Sequence, residues 1–219
     1  MVAAGIAALP RLGGHRALDL VNTVAPRLPV LGRHEHLASP EDLLVCAQRT
    51  ELLNASEAVR VADAWSASPS SGSEALAVVL RIREALSTIL STLLGVDIAA
   101  PEATQATEYL SLRWVAACAR TELVLDRPGA PSARLATQFA PATIIADRFA
   151  IASIELLTEV DLTHLGVCPP EHGGCGWLYI DQSRTQTRRW CSMDACGAAA
   201  KSRRLTDRRR STRATGLSS

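Results

Sequence analysis

Residues Cys168–Gly197 read CPPEHGGCGWLYIDQSRTQTRRWCSMDACG. Cys168, Cys175, Cys191 and Cys196 are spaced Cys-x6-Cys-x15-Cys-x4-Cys, and they are four of only six cysteines in the chain. Zinc takes four tetrahedral ligands, and thiolates suit it. Two close pairs separated by a longer loop make a knuckle-and-loop site. The gaps within the pairs exceed the usual two residues, so the clustering carries much of the weight. Gly174, Gly176 and Gly197 flank two of the cysteines, Cys175 and Cys196, where tight turns need permissive backbone. Four protein ligands leave no position for an activated water, so the expectation is one structural Zn2+ and not a catalytic one. The competing reading is a set of unconnected buried cysteines. His172 lies inside the first pair and can replace a cysteine, but is expected exposed in the turn. Cys46 and Cys118 sit in helical patterns and are expected to be small core residues.

Between the pairs, Trp177 to Arg184 alternates as a strand does. Trp177, Tyr179 and Trp190 supply the small core that a module of this size otherwise lacks. After Cys196 the run AAAKSRR, residues 198–204, is a good helix former. Charge is divided unevenly along the chain. Residues 168–219 carry 10 Lys and Arg against 4 Asp and Glu, a net +6. Residues 1–167 carry 13 Arg against 18 acids, a net −5. A basic end on an acidic body points to a polyanionic partner; the bland alternative is a solvated tail. Arg188, Arg189, Lys201, Arg203 and Arg204 are the candidate nucleic-acid-binding residues, extended by Arg208, Arg209, Arg210 and Arg213. Guanidinium groups pair with phosphates and can reach guanine edges.

The rest of the chain reads as helices. At 47% hydrophobic but only 4% aromatic, its core must be Leu, Ala, Val and Ile. Gly13–Thr23, GGHRALDLVNT, is a short apolar run before a Pro-rich loop (Pro26, Pro29). Ser39-Pro40-Glu41-Asp42 predicts a helix start, with a capping serine, proline at the first position and acids on the dipole; that helix should reach Leu53. A second runs from Asn54 to Trp65. Ser66–Ser73 (SASPSSGS) is expected to be a linker. A long helix to Leu94 carries the stripe Leu76, Leu80, Arg83, Leu86, Leu90 and Leu93. Arg83 interrupts it, either paired with Glu84 or another acid, or snorkelling. Another helix runs from Pro101 to Cys118, with Tyr109, Leu110 and Trp114 available for burial. Residues 121–125 and 134–139 flank the turn-rich 127–131 and predict a hairpin. Pro141 opens a final helix to Glu159. The fold class is therefore mainly α: a helical N-terminal domain with one β-hairpin, plus a small C-terminal zinc-binding module. The expected boundaries are 1–165, 166–210 and a disordered tail at 211–219.

At these residues the chain resembles the bacterial CGNR zinc-finger family, named for its Cys-Gly-Asn-Arg signature. The run Arg188–Met193 (RRWCSM) is the most specific part. The resemblance implies that Cys168, Cys175, Cys191 and Cys196 ligate zinc. Gly14–Thr23 is similar to the opening motif, Ala-Leu-Asp-x-Val-Asn-Thr, of the ABATE domain that usually precedes this finger. That domain is described as a candidate stress-induced transcription regulator. One departure matters: Cys196-Gly197 is followed by Ala198-Ala199, not Asn-Arg. Zinc ligation is untouched by this change, but contacts from those two side chains to a base or phosphate are lost.

Two function classes follow. In one, the helical domain senses a small-molecule effector and the zinc module binds DNA, a homodimer suiting a two-fold site. In the other, the chain is a ligand- or protein-binding scaffold whose zinc is purely structural. Asp19, Asn22 and Thr23 are candidate ligand-binding residues, with backbone satisfaction at a helix end as the alternative. His15, His34 and His36 lack partners at metal spacing and are not assigned. No hydrolase, kinase or dinucleotide signature is present, so no enzyme is expected. No apolar stretch reaches the ~20 residues of a membrane span. The first positive charge, Arg11, follows the apolar start instead of leading it, so the expected location is cytoplasmic.

Overall fold

A computed structural model describes residues 5–25, 34–125 and 133–215. The Pro26–Pro29 loop, the turn at 127–131 and residues 216–219 lie outside the described residues. The helices are α1 (Arg16–Val21), α2 (Pro40–Arg49), α3 (Ala55–Ala67), α4 (Pro69–Leu93), α5 (Ala100–Cys118), α6 (Ile144–Glu159) and α7 (Ala198–Thr215). Three two-stranded antiparallel pairs accompany them: β1 (Val24–Ala25) with β2 (His34–Glu35), β3 (Thr121–Leu125) with β4 (Ala133–Thr137), and β5 (Leu165–Val167) with β6 (Leu178–Ile180). The predominantly helical reading and the β3–β4 hairpin are found. The strand read at Trp177–Arg184 is found as β6, but its partner β5 and the β1–β2 pair were not foreseen, because isolated strands of two or three residues carry little readable alternation.

The starts of α2 and α3 follow from their caps. Ser39 accepts from the Asp42 amide while the Asp42 carboxylate accepts from the Ser39 amide, and Asn54 and Glu57 repeat the exchange. Each reciprocal pair satisfies two orphan donors. Helix α2 ends at Arg49, short of Leu53. Glu51 turns into the left-handed region (φ 58°), and the amides of Leu52 and Leu53 both donate back to the Ala47 carbonyl. The expected linker at Ser66–Ser73 is corrected to the single residue Ser68, since α4 begins at Pro69. Tertiary packing overrides poor propensity here. A Cβ on Gly72 would lie 3.1 Å from Pro40 and 3.2 Å from Trp65, so the bare backbone lets three helices converge.

The core gathers α1, the inward faces of α2 to α6 and part of β6. Leu18, Leu20, Leu43, Ile82, Leu86, Leu90, Leu110, Phe149 and Leu156 are fully buried. Arg83 is buried among them, its guanidinium held bidentately by Glu35 (2.7 and 2.7 Å), with further bonds to Glu84 (2.8 Å) and Thr23 (3.0 Å). It pairs with Glu84 as expected, but the larger part of its burial is compensated by Glu35 across the fold. Asp147, also fully buried, is gripped bidentately by Arg120 at 2.8 and 2.6 Å. Cys46 is a core residue, and burial pushes its thiol up to about 12. Cys118 is a correction: it is exposed at the end of α5. Trp114 also stays 39% exposed, whereas Leu110 is buried.

Candidate metal centre

The first two cysteines sit on a knuckle between β5 and β6. These strands pair Leu165 with Ile180, Gly166 with Tyr179 and Val167 with Leu178. The ladder continues into the knuckle through the Cys168 amide, which donates to the Trp177 carbonyl (2.9 Å), and the Gly176 amide, which donates to Cys168 (3.0 Å). Gly176 has φ 75°, and a Cβ on Gly174 would fall 2.7 Å from the Cys168 sulfur. The glycines flanking the ligands are therefore demanded by turn geometry and close approach. The second pair comes from a different device. Ser192 caps a wide helical turn, Met193–Gly197, which carries Cys196 and runs directly into α7.

The four thiol sulfurs all lie within 4.8 Å of one another. Cys175 and Cys191 are 3.4 Å apart, and Cys191 and Cys196 are 3.6 Å apart. A tetrahedral zinc with Zn–S bonds of ~2.3 Å separates its sulfurs by roughly 3.8 Å, so the quartet fits one zinc ion with small adjustment. Cys168 and Cys191 are buried, and Cys175 and Cys196 half-buried. Hydrogen bonds from the Cys175 and Cys191 thiols hold Cys168 well below the ordinary thiol range, and the same crowding pushes Cys175 and Cys191 up. One cation at the centre relieves that conflict by letting all four ionise. His172 stays outside the quartet, its side chain 45% exposed. Trp177, Tyr179 and Trp190 form a small core with Cys168, Cys191 and Ala200, as the sequence suggested.

The structure divides the five candidate nucleic-acid residues. Arg188 is half-buried and bonded inward, donating to the carbonyls of Trp190 (3.1 Å), Leu12 (3.1 Å) and Cys191 (2.5 Å). Its guanidinium also stacks 4.3 Å from the Tyr179 ring centre. Arg203 reaches back to the Gly173 carbonyl of the first knuckle. Arg189, Lys201 and Arg204 are exposed, and no ion pair or hydrogen bond engages their side chains among the described residues. Arg184, in the exposed loop held by Asp181, joins this set: the Asp181 carboxylate accepts from the amides of Ser183 (2.9 Å) and Arg188 (2.8 Å). Sequence reading passed over Arg184 because nothing in its spacing ties it to the metal.

Helix α7 packs mainly on the Met193–Gly197 turn. Its 18 residues include seven Lys and Arg and one Asp. At 1.5 Å per residue it projects ~27 Å. It runs through residues 211–215, which were expected to begin a disordered tail.

The three candidate ligand residues also part company. Asn22 and Thr23 are buried and bonded to protein. The Asn22 amide group donates to the Leu178 carbonyl (2.8 Å) and accepts from the Leu178 amide (2.9 Å). Thr23 donates to the Leu20 carbonyl (2.7 Å). Asp19 lines an open cavity of about 460 Å³ with Arg11, His15, Arg16, Thr50 and Glu51. Burial raises the Asp19 carboxyl above its ordinary value, opposed by the Gly13 amide and Arg11. Burial lowers His15, whose Nδ1 accepts from the Ala17 amide.

Residues 14–160 match the ABATE family model, described as "Putative stress-induced transcription regulator", and residues 164–209 match the model described as "CGNR zinc finger". No curated protein and no solved structure matches the chain. Among the described residues no helix is long and apolar enough to cross a membrane.

Proposed function

The chain belongs to the ABATE family and carries a CGNR zinc finger, and from that premise we propose that it is a DNA-binding transcription regulator under control of its helical domain. The observation that carries the reading is the origin of α7. A closed four-thiol site holds the root of a helix that has seven cations and, beyond the buried Ala200 at that root, no apolar stripe in its sequence. A helix polar on all sides gains little from its own protein and suits a charged partner. Arg189, Lys201 and Arg204, together with the exposed Arg184, contact phosphate. Arg188 and Arg203 act as positioning residues that fix the loop and the helix root. The site carries no catalysis in this reading, because four protein ligands fill the tetrahedron. A small-molecule effector enters the cavity beside Asp19, the protein is cytoplasmic, and a homodimer matches a two-fold operator.

Fluorescence anisotropy with labelled duplex DNA at ~50 and ~200 mM salt tests this. With about four phosphate contacts, affinity falls on the order of a hundredfold across that range. A selected duplex should also outcompete heparin. Binding no tighter than to heparin, with no preferred sequence, overturns it. A second reading then gains ground, namely a scaffold whose zinc is purely structural. Ala198-Ala199 in place of the signature Asn-Arg favours that reading, as does the inward bonding of Arg188 and Arg203.

A further inference from the structure

Strand β6 belongs to two cores at once. Leu178 and Ile180 are buried in the cluster that contains Leu18, Leu20 and Leu86 of the helical domain. Trp177 and Tyr179 are buried in the cluster that contains Cys168, Trp190 and Cys191. Successive side chains of a strand point to opposite faces, so this three-residue strand and the tryptophan before it stitch the two cores together. A slip of one residue would exchange the two sets. Its backbone is also held from both sides. Toward the metal, Cys168 donates to the Trp177 carbonyl at 2.9 Å. Toward the helical domain, Asn22 brackets Leu178 through both its amide atoms, and the Ile180 amide donates to the Gly13 carbonyl at 2.9 Å. The Trp177 indole donates to the Val24 carbonyl at 3.2 Å, and Arg188 links Leu12 to Cys191.

We propose that the thiol site and the helical domain form one cooperative unit, with Asn22 and β6 as the coupling element, so that metal occupancy is transmitted to the helical core. Zinc pins Cys168 and Cys175 to one point and thereby closes the knuckle. The rung next to that knuckle is Val167–Leu178, and Leu178 is the residue Asn22 clamps. Without the ion, the knuckle has only its backbone hydrogen bonds to set against the chain entropy that opposes its closure. The terminal rungs then fray, Leu178 and Ile180 leave the core, and Asn22 loses both partners. Coupling of this kind is reciprocal: if zinc supports the Asn22 contact, the Asn22 contact supports zinc. The inference requires zinc at the four cysteines but does not require DNA binding.

Hydrogen exchange of the full chain, before and after zinc removal with a strong chelator, tests one direction, with metal analysis run in parallel. Amides of α1 and of the buried part of α4 should exchange at least about tenfold faster once the metal is gone, a change of about 1.4 kcal/mol. Added zinc should restore them. Zinc affinity of Asn22→Ala, measured against a chromophoric chelator, tests the other direction. It should fall at least about tenfold, although Asn22 touches no ligand. Trp177→Phe keeps an aromatic ring but removes the indole N–H donor to Val24 along with part of the ring, so it serves where Asn22→Ala does not fold. It should weaken zinc in the same direction. Helical amides unchanged by metal loss, or full zinc affinity in the variants, overturns the coupling while leaving the zinc site standing. A chain that binds no zinc at all overturns both.

Discussion

Replacing Gly174 by alanine places a methyl group inside the metal knuckle. The added Cβ would lie 2.7 Å from the Cys168 sulfur, 2.8 Å from the Pro169 carbonyl oxygen and 2.9 Å from the Cys168 carbonyl carbon. Ordinary contacts begin at ~3.5 Å, so the sulfur must retreat by about 0.8 Å. Two of the three obstacles are backbone atoms and cannot swing aside. Metal–ligand distances tolerate only ~0.2 Å, so the strain falls on the Cys168–zinc bond. Structural zinc binds with ~10–16 kcal/mol. Weakening one of four ligands in this way should remove about 3 kcal/mol, roughly a hundredfold in affinity. Competition with a chromophoric zinc chelator measures this directly. Gly5→Ala is the matched control, because its Cβ would meet nothing within 4 Å. A Gly174→Ala protein that holds zinc within threefold of the unmodified chain would refute the argument that Gly174 is required by close approach to a ligand.

Arg83→Met leaves Glu35 without its bidentate partner. Because Glu35 keeps about a third of its side chain in water, the cost should be near the lower end for a broken buried pair, about 3 kcal/mol. Thermal denaturation should show Tm lower by roughly 10 °C. Glu57 gives a pH dependence. Hydrogen bonds from Arg148 hold its carboxyl below the ordinary value of 4.5. Its contribution to stability is therefore full above that value and is lost as pH falls through the depressed one. Denaturation midpoints recorded from pH 6 downward should fall less steeply in Glu57→Gln than in the unmodified chain. Arg204→Ala should reduce the slope of log affinity for duplex DNA against log salt by about 1, with zinc content unchanged. Arg188→Ala should instead lower thermal stability and zinc retention, since its guanidinium bonds three carbonyls of the chain.

Much of the fold was legible because its signals are local. The capping boxes at Ser39 and Asn54 need only residues three apart, and both are present. The four ligands were readable because thiolate chemistry and spacing already restrict the choice, and the sulfurs converge within 4.8 Å. The linker at Ser66–Ser73 was misread because Ser, Pro and Gly signal a loop only when nothing packs on them. Gly72 is helical because Pro40 and Trp65 press against it from other elements. Arg188 looked like a free cation beside Arg189, yet neighbours in sequence face different surroundings, and its carbonyl partners include Leu12, far away along the chain.

The four cysteines and the basic run after them were set by residue type and spacing alone. That a metal site and a helical domain stand at the two ends of the chain was equally plain from composition and charge. What only the tertiary structure decided is that these two parts are not separate. Asn22 and Leu178 are 156 residues apart, and no periodicity or charge count connects them. Their pairing depends on β6 presenting alternate side chains to two cores, and that is a property of three-dimensional packing.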